Sequence, residues 1–436
     1  MTTALDRNAP APAELVDSRT AWMRLWVTLA LMTVGASGMY VVPVVLPSVQ
    51  AEFGITRADA SLPYTLLMIG FGVGGIWMGR MADRHGVARP LMMGGLCLGL
   101  GYIAAALSGN IYAFAIAHGV LIGLCGSSAT FSPLLADTSL WFLRRRGIAV
   151  AVCASGNYLG GTIWPPIVQY FVQEIGWRNT YWALGIFSTL VMVSLAQLMR
   201  QRPPALAALA TPAKPASASP SSSAASATVT DQAPGARPFG LPPAVALALL
   251  SVAGVGCCVA MSMPQVHIVA YCADLGYGVA RGAEMLSLML AFGIVSRLIS
   301  GAICDRIGGL RTLLLGSILQ GTALLLFIPF DGLVSLYLIS ALFGLFQGGI
   351  VPSYAIIVRE YFSPAKAGAM VGTVIMCTML GMALGGWMSG KVFDLTGSYH
   401  AAFINGVAWN GLNLLIVLYL LRRVRLARRN AQAAAA

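Results

Sequence analysis

The stretch Gly79-Arg-Met-Ala-Asp83-Arg84-His-Gly86-Val-Ala-Arg89 returns 222 residues later as Gly301-Ala-Ile-Cys-Asp305-Arg306-Ile-Gly308-Gly-Leu-Arg311, with five identities at one offset. A fainter echo sets Ile175-Gly176-Trp177-Arg178 against Thr396-Gly397-Ser398-Tyr399 at an offset of 221. Around these markers lie apolar runs near 25–48, 61–81, 90–108, 111–136, 147–172, 180–199, 242–270, 284–304, 311–330, 333–358, 367–391 and 402–421. Each is about as long as a helix needs to cross a ~30 Å hydrocarbon core. Each copy of the first pattern closes the second run of a set of six. The chain therefore reads as an all-α integral membrane protein of twelve transmembrane helices in two six-helix pseudo-symmetric halves. Duplicated halves of this kind mark secondary transporters, whose substrate lies between the halves near the midplane.

Composition agrees. Hydrophobic residues make up 58% of 436 and charged residues only 10%. A soluble domain carries nearer a quarter charged residues, and a globule of this size has too little interior for so much apolar surface. The net charge of +12 does not signal nucleic-acid binding, because no basic face carries interleaved aromatics. Of the 27 Lys and Arg, Arg297 lies within a run, four (Arg57, Arg178, Arg281 and Lys391) lie in one set of loops, and the remaining 22 flank the other ends. Basic residues favour the cytoplasm, so both termini are expected inside, in the cell membrane. The eight cysteines lack metal-ligand spacing and read as small residues of reduced helices. No metal or cofactor is expected. The first residues lack the apolar core of a secretory signal.

Residues 201–240 are rich in Ala, Pro and Ser with one aromatic, Phe239. Such a segment buries too little apolar surface to offset its ordering entropy. The expected division is a cytoplasmic tail 1–24, a six-helix half 25–200, a disordered cytoplasmic linker 201–240, a second half 241–421 and a basic tail 422–436. One chain of twelve helices encloses its own path, so a monomer surrounded by lipid suffices.

The doubled G-x-x-x-D-R-x-G-x-x-R loop resembles the signature of the major facilitator superfamily. The resemblance covers essentially all of the chain outside tail and linker. It implies that Gly79, Asp83, Arg84, Gly86 and Arg89, with Gly301, Asp305, Arg306, Gly308 and Arg311, form gating loops that latch one conformation. The two carboxylates at helix ends would pair with basic loop residues or cap an adjacent helix. Finer features resemble the monocarboxylate transporter family and its bacterial relatives, which include oxalate:formate antiporters. These are Trp141-Phe142-Leu-Arg144-Arg145-Arg146-Gly-Ile-Ala149 leading to Ser155-Gly156, then Glu52-Phe53-Gly54-Ile-Thr-Arg57-Ala58, and Pro264-Gln265-Val-His267-Ile-Val-Ala-Tyr271-Cys-Ala-Asp274-Leu-Gly276. The chain also departs from those patterns. The first run reads Val34-Gly-Ala-Ser37-Gly-Met-Tyr40 instead of an acidic-Gly-aromatic cluster. Gly293 stands where some members carry an Asp. The eleventh run offers Thr373, Met376, Cys377 and Thr378 where oxalate antiporters carry a base, and Lys391 is at its outer end. A dicarboxylate, which wants two cations, is thus disfavoured against a monocarboxylate.

Arg297 is the sharpest functional signal. It lies eight residues before Asp305, so about 12 Å in from the helix end at 1.5 Å per residue. A charge at that depth costs at least about 2.5–3.5 kcal/mol by insertion scales. It is tolerable on a cavity wall, where a guanidinium grips a carboxylate bidentately. The resemblance points to the same position as the carboxylate-binding arginine. Tyr40, Tyr64, Asn157, Tyr158, Gln265, His267 and Cys377 are the candidate partners in the cavity. His267 and His118 are the candidate proton carriers, each weighed against a packing role. Asp137 reads as an interfacial ion pair beside Arg144 to Arg146. Pro43, Pro47, Pro133, Pro165, Pro166, Pro264 and Pro352 are expected to kink their helices. The leading reading is alternating-access transport of a small organic anion, a monocarboxylate, coupled to protons. The alternatives are efflux of drugs or hydrophobic compounds, dicarboxylate/monocarboxylate exchange, and solute sensing without transport. No nucleophile–base pair, H-E-x-x-H spacing or ATP-binding loop appears, so an enzyme is not expected and the energy source would be a gradient.

Overall fold

A computed structural model describes residues 16–142, 144–201 and 238–435, and among them every regular element is helical. The elements are α1 (Arg19–Gly35), α2 (Ser37–Phe53), α3 (Arg57–His85), α4 (Ala88–Ala106) and α5 (Ile111–Ile116). A π-helix (Ala117–Gly126) and a 3-10 turn (Ser127–Thr130) follow, then α6 (Ser132–Trp141) and α7 (Arg146–Leu198). The second half holds α8 (Pro243–Asp274), α9 (Val279–Ile307), α10 (Gly309–Leu326), α11 (Leu333–Gln347), α12 (Ile350–Tyr361), α13 (Pro364–Thr396) and α14 (Tyr399–Ala435).

Among the described residues eleven helical stretches are long and apolar enough to cross a membrane, and one of them, Gly147–Leu198, runs 52 residues. At 1.5 Å per residue that is about 78 Å, more than two bilayer cores. The chain turns inside it at Gly176, where φ is 79° and ψ is 159°. That left-handed corner, open to glycine and strained for other residues, divides α7 into two spans and brings the total to twelve. The first span is α1 with α2, the fourth runs from α5 to α6, and the tenth is α11 with α12.

Two breaks in the spans sit just before a proline. The irregular stretch 127–131 precedes Pro133. The tenth span is interrupted between Gln347 and Ile350, ahead of Pro352. Pro43, Pro47, Pro165, Pro166 and Pro264 instead lie within continuous helix, and α1 yields to α2 at Ala36, well ahead of Pro43. The first span starts earlier than hydropathy suggests, because Ser18 caps α1 by accepting the Ala21 N–H. The expected linker lies outside the described residues except at its two ends. At its far end Phe239 is buried, with its ring 4.4 Å from that of Tyr361.

The repeat extends beyond the loops. Positive φ recurs at Gly54 and Gly276, at Gly86 and Gly308, and at Gly176 and Gly397. It also appears in packing. A Cβ on Gly123 would run into the carbonyl of Leu67, and one on Gly344 into the carbonyl of Met289. Both residues of the second pair lie 221 or 222 positions after those of the first. In each half, then, the second and fourth spans pack backbone to backbone through a glycine, which is how helices associate where lipid offers no hydrophobic drive. Gly344→Val should therefore destabilise the protein by about 1–3 kcal/mol or block folding. Its thermal unfolding temperature in detergent is the check. Gly79→Val, where nothing lies within 4 Å of the added Cβ, serves as the control.

The halves meet along three seams: α3 against α13, the first part of α7 against α9, and α2 against α8. The start of α1, the end of α14 and both repeated loops share one face, hereafter the terminal face.

Candidate functional site

The seam between α7 and α9 carries Arg297. Its Nη1 donates to the Ala154 carbonyl at 3.0 Å, in the other half, and its Nε to the Gly348 carbonyl at 3.4 Å, at the break in the tenth span. That break leaves backbone acceptors without a partner in their own helix, and one of them meets the guanidinium. The guanidinium carbon lies 4.4 Å from the centre of the Tyr158 ring, a cation–π contact. Its Nη2 makes no protein hydrogen bond, and no carboxylate pairs with it, among the described residues.

Around it the helices supply polar groups from both halves. The Tyr40 hydroxyl, on α2, donates to Asn157 Oδ1 at 2.9 Å, and Asn157 Nδ2 points at the Met39 sulfur at 3.4 Å. The Tyr158 ring presses on Gly293, and the Tyr40 ring lies beside Gly161. Gly293 is thus the space that the aromatic ring occupies, which explains why no acid stands there. On the far side Gln265 Nε2 donates to Gln347 Oε1 at 3.1 Å, while Gln347 Nε2 and the Ser296 hydroxyl are buried without a partner among the described residues. Arg297, Tyr158, Asn157 and Tyr40 therefore form one connected cluster. Gln265 joins the α8–α11 side of the same region through Gln347.

The remaining candidates lie elsewhere. Tyr64 is buried in α3 against Gly386 of α13. Cys377 is half-buried on α13, next to Met376, whose sulfur faces Gly72. His118 sits wholly within the first half, with Nδ1 at 2.8 Å from the Phe114 carbonyl and Nε2 at 3.1 Å from the Tyr181 hydroxyl. His267 bonds within the second half, to Tyr399 and the Gly386 carbonyl, which in turn contact Arg57 and Tyr64 of α3 in the first half. Of the loop residues, Asp83, Arg84, Arg89, Asp305, Arg306 and Arg311 are exposed. The cap on the loop after α9 comes from Glu360, whose carboxylate accepts the Gly309 N–H at 3.0 Å, rather than from Asp305.

Two expectations about charge are corrected. Among the described side chains Asp137 pairs with neither Arg144 nor Arg145. It takes Arg24 Nε at 3.0 Å and Nη2 at 3.2 Å, and the same arginine donates to the Met199 carbonyl and lies 4.6 Å from the Trp141 ring centre. Both side chains are 6% exposed. Arg24 is therefore not a free loop cation, and the membrane region does hold a buried acid. Sequence reasoning also passed over Arg57, Asp274, Asp394 and Tyr399, which join the halves away from the terminal face. The available signal was an acid at the end of an apolar run opposite a counted loop arginine, but pairing over more than 300 residues is invisible in one sequence.

A family model of the Major Facilitator Superfamily matches residues 27–340 and 285–436. The chain belongs to this superfamily. It is a multi-pass membrane transporter, and its relatives are transporters rather than enzymes. It is 28% identical over 342 residues to Monocarboxylate transporter 13 of Bos taurus, covering 78% of this chain and 75% of that one. It is 25% identical over 383 residues to the MFS-type transporter YcxA of Bacillus subtilis, covering 86% and 88%. In fold it is similar to the nucleoside transporter NupG, with a TM-score of 0.69 at 13% identity over 92% of this chain and 99% of that one. A bacterial homologue of the human lysosomal transporter Spinster, in an inward-facing and occupied conformation, gives a TM-score of 0.65 at 12% identity over 94% and 97%.

Proposed function

We propose that this transporter carries a small organic monocarboxylate across the cell membrane by alternating access, with both termini in the cytoplasm. The observation that carries the reading is Arg297: a permanent cation near mid-membrane, on a seam between halves, with an Nη2 edge that meets no partner and no acid among the described residues. A carboxylate on that edge takes two parallel N–H donors and neutralises the charge, so the loaded carrier isomerises more readily than the empty one. The Tyr158 ring and the Tyr40–Asn157 pair form the wall facing it. The 28% identity to a protein named as a monocarboxylate transporter supports the same substrate class. The driving gradient in this proposal is the proton's. His267 is the preferred carrier because its partners Tyr399 and Gly386 in turn touch Arg57 and Tyr64 of the other half, whereas His118 is held by Phe114 and Tyr181 of its own half.

The test is thermal stabilisation of the purified protein by monocarboxylates, dicarboxylates and lipophilic cations. A ligand at 100 times its Kd should stabilise by about 2.7 kcal/mol. Stabilisation by monocarboxylates, followed by uptake of the same acid into liposomes, supports the proposal. Stabilisation by lipophilic cations alone overturns it in favour of efflux of hydrophobic compounds.

A further inference from the structure

On the face opposite the termini, one half caps a helix of the other. Asp394, near the end of α13, accepts the Arg57 N–H through Oδ1 and the Ala58 N–H through Oδ2, both at 2.8 Å. These are the first two amides of α3, which have no acceptor within their own helix, and the helix dipole there favours a carboxylate. The buried Arg57 side chain extends the tie. Its Nη2 reaches Asp274 at 3.2 Å, its Nη1 donates to the Tyr399 hydroxyl oxygen at 2.9 Å, and its guanidinium lies 4.8 Å from the Phe393 ring centre.

The chain of donors continues to a histidine. Because the Tyr399 oxygen receives Arg57, its own proton is directed to His267 Nδ1, 3.2 Å away. His267 Nε2 lies 2.8 Å from the Gly386 carbonyl, which can only accept, so the proton of the ring belongs on Nε2. This tautomer follows from the network. The closed arrangement thus calls for a neutral imidazole.

We infer that His267, Tyr399, Arg57 and Asp394 form a pH-sensitive latch that holds this face shut while His267 is neutral and releases it when His267 gains a proton. A proton on Nδ1 would set an N–H against the Tyr399 O–H, so that the hydroxyl would have to turn its proton away and accept from Arg57 and His267 together, at a residue with no exposed surface. It would also place a second cation near Arg57. The groups around His267 offset this only in part: the Asp394 carboxylate attracts the charged ring, while burial and Arg57 oppose it. From α3 come Arg57 and Tyr64, and both oxygens of Asp394, from α13, are committed to α3 amides. From α14 comes Tyr399, while His400 and Lys391 are exposed. On α8 itself Tyr271 packs edge-to-face against Tyr399, and Asp274 holds Arg57. The elements α2 and α9 bring Tyr40, Glu52, Arg281 and Glu284, which are engaged with Asn157, Arg178 and each other. With the face open, the imidazole is hydrated and free to charge. Coupling then requires that the proton taken up while this face is open leaves toward the terminal face as this face closes. The inference rests on the alternating-access reading but not on the identity of the substrate.

Hydrogen–deuterium exchange of the substrate-free protein tests it, read at the amides of residues 57–66 and corrected for the intrinsic pH dependence of exchange. With an ordinary imidazole near 6.5 in the open form and none protonated in the closed form, the open-to-closed ratio should rise about ten-fold from pH 7.5 to 5.5. The wild type should lose protection accordingly, His267→Gln should keep it at both pH values, and Asp394→Asn should lack it at both. If His267→Gln does not fold, Tyr399→Phe replaces it: the phenyl ring has no hydroxyl to hold, so the pH response should shrink. A wild type with flat protection, or a variant that keeps the full pH response, overturns the latch. Neither result bears on carboxylate binding, which the ligand panel measures separately.

Discussion

Arg297→Gln should bind monocarboxylates about 30-fold to several-thousand-fold more weakly than the wild type, because losing one partner of an enclosed charge pair costs about 2–5 kcal/mol. The unliganded variant should unfold no more easily, since a mid-membrane cation is replaced by a neutral amide that can still donate to the Ala154 or Gly348 carbonyl. Arg297→Lys should fall between the two. It keeps the charge but presents a point donor instead of a fork. Carboxylate-induced stabilisation measured on all three proteins checks the set. Equal affinity in wild type and Arg297→Gln would assign Arg297 a purely structural role, holding α9 to Ala154 and Gly348.

The second large effect is expected at Asp137. Asp137→Ala leaves Arg24 buried without its counter-charge, a change that costs about 3–5 kcal/mol in comparable sites. Arg24→Met alone should cost a similar amount. The double variant, Arg24→Met with Asp137→Leu, should recover most of the loss, because the desolvation of both charges disappears with them. Thermal unfolding of the three variants against wild type gives the answer. If the double variant loses as much as the two singles together, the pair contributes independent packing, through Trp141 and the Met199 carbonyl, rather than charge compensation.

Both predictions involve an arginine within a span, yet only one of the two was legible before the fold. Arg297 stands alone in an apolar run, and the cost of burying it marks it without further information. Arg24 lies close to a terminus among other basic residues, so the charge count absorbs it as a loop cation. Its partner is 113 residues away on the fourth span. Arg57 is a similar case, counted among outer loop charges but tied to Asp394 and Tyr399 in the opposite half.

The sequence by itself determined the architecture: twelve spans, two related halves and a loop repeated at the ends of the second and eighth. Membranes make this possible, because every spanning backbone must satisfy itself and long apolar runs have few alternatives to helix. It also determined that one arginine is out of place. Only the tertiary structure decided that Tyr158, rather than an acid, lies over that arginine, that Gly293 makes room for the ring, and that Asn157 is held by Tyr40. It alone separated the two histidines, enclosing His118 in one half and setting His267 on partners that touch the other half. The physical reason is common to all of these. Hydropathy is a property of each segment and survives in the order of residues, whereas hydrogen bonds and ion pairs between spans depend on which helix faces which.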